Sequence, residues 1–126
     1  MLSVLIPVYN YNCVTLVETL HKQLMASAIS FEIKCLDDAS EVFTAENKAV
    51  STFSNTHYEV LPVNKGRSAT RQQLANAATY NWLLFLDADV LPKSEQFIAN
   101  YLNALNDDVD AIYGGFDYYY QQPDNS

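Results

Sequence analysis

The sequence predicts an α/β domain: a mostly parallel, Rossmann-like βαβ sheet with helices on both faces. Three observations lead there. Five short apolar or alternating runs take turns with four segments of helical periodicity. Two of the runs, Leu2–Val8 and Trp82–Leu86, are apolar almost throughout, as in strands covered on both faces. A polar cluster also follows each of the first four strands at once: Tyr9-Asn10, Asp37-Asp38, Asn64-Lys65-Gly66 and Asp87-Ala88-Asp89.

The elements follow in order. Leu2–Val8 is the first, central strand. Thr15 and Glu18 form a capping-box pattern, and Val17, Leu20 and Leu24 continue a helix to about Ser27. Phe31–Leu36 is the second strand. Glu41–Ser54 carries Val42, Ala45, Ala49, Val50 and Phe53, an amphipathic helical pattern. Tyr58–Val63 is the third strand, and Pro62 marks it as an edge or a strand end. Ser68–Tyr80 is Ala-rich and helical; Trp82–Leu86 is the fourth strand. Ser94–Leu105 keeps Phe97, Ile98, Tyr101, Leu102 and Leu105 on one stripe, a fourth helix. Asp110–Tyr113 is a short last strand before Gly114-Gly115, and beyond Phe116 the pattern dissolves. Residues 1–115 therefore read as one domain and 116–126 as a tail. Right-handed crossovers then determine most of the topology.

Composition narrows the function. The chain has 126 residues and a hydrophobic fraction of 49%, which suits one domain with a real core. Seven Lys+Arg against 15 Asp+Glu give a net charge of −8. That argues against a general nucleic-acid grip and disfavours binding of this domain to an anionic membrane. Cys13 and Cys35 make neither a disulfide framework nor a zinc cluster, so a reducing, cytoplasmic setting is the default. No run approaches the roughly 20 residues of a membrane helix. Leu2–Val8 lacks the basic leader and cleavage site of a signal peptide.

In a parallel sheet all four polar clusters converge on one edge, where open α/β sheets bind ligands. Asp87 and Asp89 are the sharpest feature. Two carboxylates about 4 Å apart repel by roughly 4 kcal/mol at an effective dielectric near 20. A bridging cation relieves that, and oxygen ligation suits Mg²⁺ or Mn²⁺ completed by phosphate oxygens. The plainer reading is a solvated turn with Asp as a helix starter. Asp37-Asp38 could receive a base or ribose, or cap the segment from Glu41. Arg67 and Arg71 share a helix face and could meet a diphosphate or steady the carboxylates, although an exposed basic face is the preferred reading of Arg67. His21 and His57 lack metal-ligand spacing, and both cysteines read as core. No G-x-G-x-x-G or Walker pattern is present. Tyr118-Tyr119-Tyr120 reads as a surface packing on further chain.

Pro7-Val8-Tyr9-Asn10, Asp37-Asp38-Ala39-Ser40, Asn64-Lys65-Gly66 with Ala69 and Arg71, and Phe85-Leu86-Asp87-Ala88-Asp89 together resemble the family 2 glycosyltransferases of the GT-A fold. The ordered set is specific where each piece alone is weak. The resemblance implies inverting transfer of a sugar from a nucleotide diphosphate donor to a glycan or lipid acceptor, helped by Mn²⁺ or Mg²⁺. It places Tyr9 against the base, with Pro7 shaping that strand end and Asn10 among the nucleotide-binding residues. Asp38 would accept from the base N–H, and Arg71 would lie near base and phosphates. Asp87 would hold ribose or a metal-bound water, and Asp89 the metal, whose Lewis acidity neutralises the departing diphosphate. Gln72, Leu74, Tyr80 and Val90 depart from the family pattern. The family's general base comes from a later segment, so no catalytic residue is assigned here. The expectation is a truncated donor-binding half, inactive alone, whose open sheet edge favours self-association. Two rivals are a non-catalytic nucleotide-binding or interaction module and a haloacid-dehalogenase-type phosphatase. The latter places its Asp pair on the first strand, whereas three strands precede it here.

Overall fold

A computed structural model describes residues 1–104 and the strand residues 111–113. The strands are β1 Leu2–Val8, β2 Phe31–Asp37, β3 Thr56–Val60, β4 Trp82–Phe85 and β5 Ala111–Tyr113. They form one sheet in the order β3-β2-β1-β4-β5. Every pairing is parallel, with Leu2 opposite both Phe31 and Trp82. The helices are α1 Val14–Ser27, α2 Thr44–Asn47, α3 Arg67–Ala77 and α4 Phe97–Ala104, with a 3-10 segment at Lys48–Thr52.

The period-2 alternation of β1 sorts its side chains to two faces. Leu2, Val4, Ile6 and Val8 pack with Leu20 and Leu24 of α1 and with Phe97, Ile98 and Tyr101 of α4. Leu5 faces the other way, against Leu36, Leu61 and Leu74 of α3. Leu74, one of the departures from the family pattern, thus fills the second face. Tyr101 donates its hydroxyl to the Leu83 carbonyl at 3.0 Å, and burial pushes that phenol above its ordinary pKa. At the edge of the sheet remote from the strand ends, Glu32 is buried and fully partnered. It accepts from the Ser3 hydroxyl at 2.6 Å and from the Thr79 N–H and hydroxyl at 2.6 and 3.0 Å.

Three local expectations are corrected. The Thr15–Glu18 capping box does not form, because α1 starts at Val14 with Cys13 as N-cap and no side-chain cap. The entering N–H groups are taken instead by Asn12 and Asn47, whose Oδ1 atoms accept from Val14 at 3.0 Å and Cys13 at 2.9 Å. Glu41–Ser54 is not one helix. Val42, Ala45 and Ala49 are exposed, Phe43 has φ 71°, and only the short α2 and the 3-10 segment form. Asn47, at the end of α2, is fully buried and spends its amide on the loop before α1. β3 begins two residues before the expected Tyr58 and stops at Val60. Leu61 still donates to the Asp37 carbonyl at 2.8 Å, but Pro62 has no N–H with which to continue. β3 is nonetheless an edge strand, as Pro62 suggested. Leu105, Asp110, Gly114-Gly115 and the tyrosine-rich tail lie outside the described residues.

Candidate functional site

Parallel pairing throughout puts the C-terminal ends of β1 to β4 on one edge, and a cleft of about 380 Å³ opens there. β1 and its loop contribute Pro7, Val8, Tyr9 and Tyr11. Asp38 comes from the end of β2. The β3–α3 connection and α3 supply Asn64, Gly66, Arg67 and Thr70, and the turn after β4 supplies Asp87, Ala88 and Asp89. The four polar clusters meet, as the parallel assignment requires.

Tyr9 and Tyr11 stand at the rim, 53% and 45% exposed, with aromatic faces free for a planar ligand. Asp38 is buried. Its two carboxylate oxygens accept the N–H groups of Lys65 at 2.7 Å and Gly66 at 2.9 Å. Each oxygen keeps a second lone pair for a ligand N–H. Gly66 sits at φ 93°, a conformation costly for any residue with a Cβ, although the space beside it is open. The glycine is there for its backbone, which turns its N–H onto Asp38 and starts α3. Thr70 braces the same turn by donating to the Gly66 carbonyl at 2.8 Å.

Asp37 closes a turn rather than capping a helix, since α2 has no side-chain cap. It accepts the Ser40 N–H at 2.7 Å and the Tyr58 hydroxyl. Burial and this carboxylate push the Tyr58 phenol up. Asp38 is left to face the cleft.

Asp87 and Asp89 lie on a turn closed by the Val90 N–H on the Asp87 carbonyl at 3.2 Å. They start no helix, since α4 begins only at Phe97. Asp87 is clasped by Arg67, whose Nη2 lies 2.8 and 2.7 Å from its two oxygens. This corrects the reading of Arg67 as a bystander on an exposed face. The helix-face spacing had signalled it, but its reach to Asp87 is tertiary.

Two expected site residues lie outside the lining of the cleft. Asn10 is not among the lining residues. It has φ 52°, and its Oδ1 accepts the Glu41 N–H at 2.7 Å, so it ties two loops together behind the cleft. Arg71 is also absent from the lining and lies over the Phe85 ring at 4.8 Å from the centroid. Among the described residues no three His, Cys, Asp or Glu side chains group as a ready-made metal site. Asp87 and Asp89 offer an all-oxygen pair, which fits a hard cation that keeps waters and takes its remaining ligands from phosphate. His21 is stacked on Phe53 at 5.3 Å and shares a hydrogen bond with the Ser54 hydroxyl at 2.9 Å.

The Glycosyl transferase family 2 profile matches residues 3–126. The chain belongs to glycosyl transferase family 2. Its fold is GT-A, shared with S. aureus TarS (residues 1–349) at TM-score 0.66 and 23% identity, over 81% of this chain and 31% of that one. The mannosyltransferase PcManGT from Pyrobaculum calidifontis, in complex with GDP-Man and Mn²⁺, matches at TM-score 0.66 and 18% identity over 84% and 32%. Glucosyl-3-phosphoglycerate synthase from Mycobacterium tuberculosis, with Mn²⁺, UDP and glucosyl-3-phosphoglycerate, matches at TM-score 0.57 and 17% identity over 79% and 37%. No curated protein matches. The family 2 chain thus spans about a third of the length of these structures. No helix among its described residues is long and apolar enough to cross a membrane.

Proposed function

We propose that this family 2 domain binds the nucleotide diphosphate sugar donor of an inverting, divalent-metal-dependent glycosyltransferase acting on a glycan or lipid acceptor. One observation carries the reading: in a family 2 chain, Tyr9, Asp38, Arg67, Asp87 and Asp89 all line one cleft at the strand ends. Tyr9 offers a face for the base. Asp38, held rigid by two backbone amides, accepts from an imide or amino N–H of that base. Asp87 and Asp89 supply oxygens for ribose and for Mn²⁺ or Mg²⁺, which when bound would offset charge on the leaving diphosphate. Similar folds crystallised with UDP-GlcNAc, UDP and Mn²⁺, or GDP-Man and Mn²⁺ support this assignment of the cleft. No residue of this domain is assigned to the acceptor or to the general base, and residues 1–126 alone should transfer no sugar.

The test is a calorimetric panel of UDP, GDP, CDP and dTDP with and without Mn²⁺. Binding of one base should strengthen with Mn²⁺, and Asp89→Ala should remove that gain, at least about tenfold in affinity. Equal, metal-indifferent binding of all four, unchanged by the substitution, would refute the donor site.

A further inference from the structure

The cleft sets three carboxylates, Asp38, Asp87 and Asp89, against one guanidinium, Arg67. Asp38 is answered by backbone amides. Asp87 is answered on both oxygens by Arg67, through the single nitrogen Nη2. Among the described residues, the Nη1 and Nε donors of Arg67 are therefore left for another acceptor. The pair is poorly placed to stabilise the fold. Its side chains are 57% and 30% exposed, and water screens such pairs heavily. Arg67 is also the first residue of α3, where the helix dipole opposes a cation. A cation kept at that position, in contact with one member of the acidic pair, is suited to exchange partners.

We propose that Arg67 is an exchange latch that selects a diphosphate. In the donor-free domain it neutralises Asp87. When a nucleoside diphosphate arrives with its divalent cation, Asp87 is released to that complex and the guanidinium passes to the phosphate oxygens, which it can grip through paired N–H groups. Arg67 and the cation compete for Asp87 before the donor binds and cooperate afterwards. The anion half of this inference rests on the donor reading above; the competition for Asp87 does not.

The opposed signs give the test. Free Mn²⁺ is titrated into the protein without nucleotide by electron paramagnetic resonance, for wild type, Arg67→Gln and Arg67→Lys. Arg67→Gln should bind Mn²⁺ about threefold to tenfold more tightly, because a competitor of charge +1 is gone. With Mn²⁺ saturating, the same variant should bind the preferred nucleoside diphosphate about tenfold more weakly and its monophosphate nearly unchanged. Arg67→Lys should fall between on both counts. Unchanged Mn²⁺ affinity in Arg67→Gln overturns the latch. Equal losses for mono- and diphosphate overturn diphosphate selection. If wild type binds no nucleotide, the donor reading fails, and the Mn²⁺ arm still decides whether Arg67 guards Asp87.

Discussion

At the Asp38 end of the cleft the backbone is tied across at every turn, whereas at the Asp87–Asp89 end one exposed ion pair spans the gap. Asp38 donates its N–H to the Val8 carbonyl at 2.8 Å, accepts two amides through its side chain, and accepts the Asn64 side-chain amide on its carbonyl at 3.0 Å. Next to it, the Asn10 N–H meets the Ser40 hydroxyl at 2.7 Å. Asn47 links the Tyr11 carbonyl and the Cys13 N–H from beneath. Buried polar groups must be paired, so these bonds hold one geometry. At the other end the Arg67–Asp87 pair is wet, and Asp89 is exposed with its carboxylate unpaired among the described residues. A site that reads a rigid base and then adapts to a flexible, charged diphosphate needs this division.

The largest expected effect tests the tied end. Asp38→Ala leaves the Lys65 and Gly66 amides without their acceptor. Both lost hydrogen bonds are charge-assisted and part-buried, so stability should drop by about 2–4 kcal/mol and Tm by on the order of 10 °C. Asp38→Asn, which keeps one acceptor, should recover part of the loss. Thermal unfolding followed by circular dichroism decides. A melting temperature equal to wild type for Asp38→Ala would remove the contrast between the two ends.

Much of the tied end was legible in the sequence. Apolar runs and the polar residues right after them are local signals, so the strand ends, the parallel sheet and the convergence of Tyr9, Asp38 and Asp87-Ala88-Asp89 followed from pattern alone. What pattern could not show is how side chains are spent. Asn47 reads as an ordinary helix residue, yet its amide is buried and bonded to the loop before α1. Asn10 reads as a ligand contact, yet its side chain is used up on Glu41. Arg67 and Arg71 share a helix face in sequence, but one reaches Asp87 and the other rests on Phe85. These choices depend on contacts 20 or more residues away in the case of Arg67, and 31 for Asn10.

A smaller effect comes from the edge of the sheet opposite the cleft. Burial raises the Glu32 carboxyl pKa, but hydrogen bonds from Ser3 and Thr79 outweigh it and hold the group below its ordinary value. A depressed folded pKa contributes stability above the unfolded value of 4.5, and that contribution fades as pH falls through the folded value. Wild type should therefore lose stability below about pH 4.5 more steeply than Glu32→Gln, whose amide cannot titrate. Chemical denaturation at a series of pH values reads the slope. If the two slopes match, Glu32 is not a source of acid sensitivity, and attention moves to the carboxylates of the cleft.

The smallest stability effect belongs to the open end, and its smallness is the point. Asp89→Ala removes an exposed carboxylate with no partner among the described residues, so Tm should move by less than about 2 °C. Asp87→Asn breaks the Arg67 pair, yet a solvent-screened pair contributes only about 0–1 kcal/mol. Both variants should thus melt close to wild type while losing the manganese-dependent gain in nucleotide affinity. Asp38→Ala, by contrast, should lose fold and binding together. If either acidic variant melts as low as Asp38→Ala, the Asp87–Asp89 turn is part of the framework. The cleft would then be rigid along its whole length, and Arg67 would have no freedom to exchange.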